Sequence, residues 1–200
     1  MMMMKLEEVR AKIDAIDPQL RKLIMERLDC SRQVAEIKFA NGETTIYRAD
    51  REKAILERLG QGVPADRVTE YLAAVKKIME TSRMYQYGLL YDWDPTLFDP
   101  LAEGIDITPG GYRVRVRMTL PDQPNAMSSI LSMIGDYGFN MQYLEVLSFN
   151  FDQKTVTFEL TIFGDLSKTP MKKLMFQLSK ESQDFRIVAN DRERKGAVKS

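Results

Sequence analysis

The 200-residue chain contains no histidine and a single cysteine, Cys30. Those two absences exclude an internal disulfide, Cys/His zinc sites, serine–histidine triads and imidazole acid–base catalysis. No run of about 18 apolar residues occurs, so no membrane-spanning helix is expected. Excess charge of either sign is missing too: Lys plus Arg and Asp plus Glu are 29 each. A neutral balance speaks against a nucleic-acid or membrane-surface partner. What remains for chemistry is Arg, Lys, carboxylates, amides and hydroxyls. Hydrophobic residues make up 44% of the chain, enough for a packed core. A start lacking the apolar stretch of a secretory signal makes a cytoplasmic location the default. No function attaches to Met1–Met4.

The periodicity of the apolar residues changes near residue 94. Turn and breaker signals follow at Asp94-Pro95, Asp99-Pro100 and Pro109-Gly110-Gly111. The expected organisation is a helical domain at 1–93, a linker at 94–111, a strand-rich domain at 112–192 and a frayed tail at 193–200. In the first half Leu6, Val9, Ile13, Ile16, Leu20 and Leu23 begin a seam with steps of three and four, continued by Arg27, Cys30, Val34 and Ile37. Pro18 predicts a kink, or a fresh start with Asp17 as N-cap. Asn41-Gly42 ends this first helix. A second helix is expected from about Asp50 to Gly60, burying Ile55, Leu56 and Leu59. A third runs from Pro64 to about Tyr91, with Val68, Leu72, Val75, Ile78, Met79, Ser82, Gln86 and Leu89 inward. The first helix is about 50 Å long, too long for two shorter helices to cover. An intertwined homodimer is therefore expected.

Polar residues interrupt the apolar stripes. Arg27 occupies a seam position, with Ser31, Val34 and Lys38 on nearly the same face; Ser82 and Gln86 lie one turn apart; Arg51 and Glu52 open the second helix. Each alone has a plainer explanation: an inward Arg more often snorkels, a Ser packs, a Glu pairs with Arg48 or Lys53. Together, inward cations and amides with few matching acids suit a small anionic ligand.

The stretch Leu6 to Asp17 (LEEVRAKIDAID) resembles the opening of the all-helical, type II chorismate mutases. Glu26-Arg27, Val34 to Lys38 (VAEIK), Asp50-Arg51-Glu52, and Ser82 followed by Gln86 resemble the same family in order, over residues 5–91. The resemblance implies chorismate as substrate, a reaction that needs no metal or cofactor, and these roles. Arg10 reaches into the site of the partner chain and binds a carboxylate, and Arg27 binds a carboxylate in its own. Lys38 and Gln86 hydrogen-bond the ether oxygen of the breaking bond. Glu52 accepts from the ring hydroxyl, while Arg51 and Ser82 help hold the substrate. Arg10 and Arg27 are 17 residues apart, about 25 Å along a helix, so they can converge only across antiparallel partners. Arg48 departs from the family: some members carry there an acidic residue that grips the hydroxyl, and Arg48 cannot accept that bond.

From Tyr112 to Leu120 residues alternate, Tyr112, Val114, Val116, Met118 and Leu120 against Arg113, Arg115, Arg117 and Thr119. The arginines read as a solvated strand face rather than a nucleic-acid face. A helix at about Ala126–Tyr137, strands near Met141–Phe149 and Lys154–Phe163, a helix from Pro170 and a strand near Phe185–Ala189 give the order βαββαβ, a ferredoxin-like split. Leu120 to Ala126 (LPDQPNA) and Tyr137 to Met141 (YGFNM) resemble an ACT regulatory domain. That implies an amino-acid effector, phenylalanine or tyrosine, near Asp122, Asn125 and Ala126, where Asn125 or Ala126 replaces a glycine frequent in such loops. Two competing readings are an isochorismate-pyruvate lyase and a non-catalytic amino-acid-sensing dimer.

Overall fold

The computed structural model describes residues 5–192. Met1–Met4 and the expected tail at 193–200 lie outside the described residues. The chain divides into two compact units, one of residues up to 44 with 48–86, the other of residues 45–47 with those from 87 onward. Each is described by itself.

The first unit is helical. Helix α1 runs Leu6–Ala40. At its start Glu8 accepts from the Lys5 N–H at 3.1 Å, and Glu7 and Glu8 place negative charge where the helix dipole favours it. It closes with the Asn41 N–H on the Ile37 and Lys38 carbonyls and Gly42 at φ +73°, a conformation glycine adopts without steric cost. Pro18 neither breaks nor restarts it; Asp17 is an interior residue rather than an N-cap. The surface around Pro18 is exposed, so water can satisfy the carbonyl that Pro18 leaves without a donor. The seam is exposed as well: Leu6, Ile13, Ile16, Leu20 and Leu23 each keep about half of their surface or more.

Helix α2 spans Ala49–Gly60, with Ile55, Leu56 and Leu59 half-buried. Helix α3 spans Val68–Trp93, contributing its residues to Gln86 to the first unit and the rest to the second. It starts four residues later than Pro64 because Pro64–Arg67 closes as a turn, the Arg67 N–H on the Pro64 carbonyl at 3.0 Å. Of the expected inward stripe, Met79, Ser82 and Gln86 are buried and the remainder half-buried.

The second unit is built on a four-stranded antiparallel sheet. Strands β1 (Gly111–Pro121), β2 (Met141–Asn150), β3 (Thr155–Phe163) and β4 (Gln183–Arg192) stand in the order β2-β3-β1-β4. Helices α4 (Ala126–Asp136) and α5 (Thr169–Glu181) cross between strands, giving the split arrangement expected from the element order. Alternation decides the faces. Val114, Val116, Met118 and Leu120 of β1 and Val156, Phe158, Leu160 and Ile162 of β3 are buried beneath Ile130, Met133 and Ile134 of α4 and Met171, Leu174, Met175 and Leu178 of α5. On the other face Arg117 pairs with Glu159 at 2.9 Å, and Arg115 reaches Glu159 and Asp191 at 3.5 Å each. Arg115 and Arg117 are thus matched by acids across the strands, while Arg113 donates to Gln142 and Tyr112.

The segment expected as a linker is structured. Asp94 caps a 3-10 helix, Pro95–Ala102, accepting from the Thr96 N–H at 3.1 Å. Phe98 is fully buried there, and the helix packs on α5. Farther along, Asp106 accepts from Arg192 at 2.7 Å and its carbonyl accepts from the Asn190 amide at 2.8 Å. Breaker residues marked the end of one element without indicating that their own side chains hold the next piece in place. No helix among the described residues is long and apolar enough to cross a membrane.

Candidate active site

Buried polar groups of the first unit concentrate on α3. Positions 79, 82, 83 and 86 fall on one helical face at steps of three and four. They carry Met79, Ser82, Arg83 and Gln86, all buried. Each polar member reaches a group on another element or turn. Arg27 of α1, exposed on the single chain rather than inward, donates from Nη1 to Ser82 Oγ, bringing together residues 55 positions apart. Ser31 Oγ donates to the Arg27 carbonyl at 2.9 Å. Arg83 Nη1 donates to Glu52 Oε1 at 2.5 Å. Gln86 Nε2 donates to the Ser82 carbonyl at 3.1 Å, and its Oε1 is buried with no partner among the described residues. An orphaned buried acceptor is costly, and the amide has a second N–H besides the one on Ser82. The arrangement therefore has unspent hydrogen-bonding capacity where a polar ligand could use it.

The other expected residues are distributed less tightly. Lys38, in the last turn of α1, is half-buried with Nζ 3.9 Å from the more exposed Glu43 carboxylate. Arg51 is exposed on α2, and Arg10 is exposed on α1. The stretch of α1 between Arg10 and Arg27 is exposed throughout. Within one chain Arg27, Ser82, Glu52 and Gln86 come together, and Arg10 stays apart.

Arg48 has its own partner. Its Nε and Nη2 donate to both oxygens of Asp50, at 3.2 and 2.9 Å. The Arg48 guanidinium, followed by the Arg51 backbone N–H, holds the Asp50 carboxyl below its ordinary value. The Asp50 bond in turn raises Arg48. The cation standing where some family members carry an acid is thus engaged with its near neighbour.

Arg83 was missed among the candidate site residues. A signal for it existed: it lies four residues after Met79 and three before Gln86, inside the apolar stripe. An Arg at such a position needs a buried partner.

Residues 9–87 match the chorismate mutase type II family. A type II chorismate mutase domain therefore occupies the stretch that carries all of these helical-unit residues. A chorismate mutase from Methanocaldococcus jannaschii is 47% identical over 58 residues, 29% of this chain and 58% of that protein. The chain thus spans little more than half of that curated relative's length. A solved structure described as "GqqA- a novel type of quorum quenching acylases" shares 21% identity and covers 42% of this chain and 43% of its own, with a TM-score of 0.38. A likeness at that level carries no argument.

In the second unit the loop of Asp122, Asn125 and Ala126 precedes α4. Asn125 sits at φ +67°, ψ 0°, the left-handed region that glycine favours and asparagine tolerates best among the other residues. The Asp122 N–H is used by the Lys154 carbonyl at 2.8 Å and the Ala126 N–H by the Gln123 carbonyl at 3.3 Å. Asp122 and Asn125 keep exposed side chains. No metal-ligating cluster occurs among the described residues.

Proposed function

We propose that this protein is a chorismate mutase, rearranging chorismate to prephenate. The observation that supports the reading most is the polar face of α3, where Ser82 meets Arg27, Arg83 meets Glu52 and Gln86 holds an orphaned acceptor, inside the stretch matched by the family. The reaction breaks one C–O bond and forms one C–C bond within a single molecule, without proton transfer or covalent intermediate. A site of Arg, Lys and amide groups suffices. Arg27 and Arg10 clamp the two carboxylates, their planar forks suiting bidentate contact, and so hold the flexible substrate in its compact reactive shape. Lys38 and the second N–H of Gln86 meet the negative charge that grows on the ether oxygen. Glu52 accepts from the ring hydroxyl, and Arg51 adds positive charge at the start of α2.

The active form in this reading is a homodimer in which α1 lies antiparallel to the same helix of a second copy. The exposed seam of α1 supports it, because a row of large apolar side chains of this length is normally covered. The second unit is read as an ACT domain that binds phenylalanine or tyrosine at the loop of Asp122, Asn125 and Ala126, and the protein as cytoplasmic.

The test is loss of chorismate by the purified full chain, followed in the ultraviolet with prephenate identified as product. Turnover by a species of twice 23.1 kDa, altered by one of the two amino acids at millimolar concentration, is the expected result. Turnover that neither amino acid changes, with thermal stability also unchanged, removes the effector role alone. Conversion of isochorismate in place of chorismate assigns the site to the lyase reaction. The ether-oxygen contact has its own check: Gln86→Leu, which keeps the volume and removes the amide, is expected to lower kcat about tenfold or more. Unchanged turnover takes Gln86 out of the site.

A further inference from the structure

Arg83 is 7% exposed and is the one charged residue in the buried core of the described residues. A cation at that depth needs an opposite charge. It finds Glu52, in the first turn of α2 and 31 residues earlier, at 2.5 Å. The pair involves one carboxylate oxygen: Oε1 accepts from Arg83 Nη1, and Oε2 accepts from no described residue. Glu52 is more open than Arg83, its side chain 22% exposed against 9%. The carboxylate is therefore held from the buried side by one oxygen and keeps the other as an acceptor.

Two further features give this pair more than a structural meaning. Arg48 cannot accept a hydrogen bond and is already engaged with Asp50, which leaves Glu52 as the carboxylate for a donor on a ligand. On α3 the residue next to Arg83 is Ser82, which takes the Arg27 guanidinium. Consecutive residues of one buried turn thus hold one cation and one anion apart. Without a fixed partner Glu52 would turn toward the cations of the site and neutralise charge needed for the substrate's carboxylates.

We propose that Arg83 is a positioning residue that sets specificity for the ring hydroxyl of the substrate, by anchoring Glu52 through Oε1 so that Oε2 accepts from that hydroxyl. The proposal rests on the mutase reading above. It accounts for a site of this family working with a cation at position 48: Arg83 makes a single carboxylate sufficient. A site that hydrogen-bonds a substrate hydroxyl discriminates against the analogue lacking it, because its own buried acceptor is then left unpaired.

The test compares chorismate with an analogue whose ring hydroxyl is replaced by hydrogen, in the 200-residue protein, its Arg83→Gln variant and its Arg83→Lys variant. For Arg83→Gln, kcat/KM for chorismate is expected to fall about tenfold, mainly through KM, and kcat/KM for the analogue less than about twofold. The preference for the hydroxyl collapses, and Arg83→Lys restores part of it. Where the analogue turns over too slowly, its inhibition constant replaces kcat/KM in the same comparison. Equal losses on both substrates, or none on either, overturn the proposal, since a merely structural role would not distinguish them. If Arg83→Gln fails to fold by circular dichroism, Arg83→Lys carries the comparison with the same criteria at a smaller effect. Absence of chorismate turnover in the unmodified protein overturns this proposal and the mutase reading together. An active protein whose hydroxyl preference survives Arg83→Gln overturns this proposal alone.

Discussion

Replacing Lys38 with alanine is expected to lower kcat for chorismate about a hundred- to a thousandfold while the fold and the dimer persist. Both halves of that expectation follow from where the side chain sits. Lys38 is in the last turn of α1, where its charge suits the helix dipole, and its side chain is 20% exposed. It forms an ion pair with Glu43 at 3.9 Å, and Glu43 is 58% exposed. A pair that long and that open to water contributes about 0–1 kcal/mol, so losing that pair costs little stability. The effect on the reaction is of another size. Charge develops on the ether oxygen only in the transition state, and a preorganised cation meets it without reorganisation. The measurement is prephenate formation by Lys38→Ala beside its thermal denaturation curve. Turnover like that of the unmodified protein would remove Lys38 from the site. A large drop in melting temperature would show that the residue supports the fold instead.

The second large effect separates a one-chain site from a two-chain site. Arg10→Ala and Arg27→Ala are each expected to lose activity about a hundredfold or more, because in the proposed site each removes one carboxylate clamp. Mixed after unfolding and refolded together, the two inactive variants are expected to recover about a quarter of the normal activity, since a symmetric dimer assembled from both chains places both lesions in one site and leaves the other intact. The two arginines are separated by 17 residues of one helix, about 25 Å, and the surface between them is exposed. A substrate the size of chorismate reaches both only if a second α1 brings its own Arg10 beside Arg27. Recovery of activity on mixing is a result that no single-chain site can give. No recovery, with dimers present by sedimentation, would place the complete site in one chain and take Arg10 out of it.

Features that depend on near neighbours are legible in the order of the residues. Steps of three and four wrote α1, α2 and α3, and strict alternation wrote β1 and β3 with their buried faces, because helix and strand each repeat over a few residues. The lack of histidine and the single cysteine bounded the chemistry before any fold was known. Order along the chain carried the resemblance of residues 5–91 to the type II mutases, and the family match over 9–87 agrees with it. Three matters were settled only by tertiary structure. Pro18 stays inside a continuous helix because the surface around it is open to water. The breaker-rich segment after residue 94 became an ordered 3-10 helix because Phe98 found a buried place against α5, far along the chain. Above all, Arg27 with Ser82 and Arg83 with Glu52 are partners across 55 and 31 residues. Local periodicity can put an arginine on an inward face. Which carboxylate or hydroxyl meets it there depends on the path of the chain between them, and that path is decided by packing.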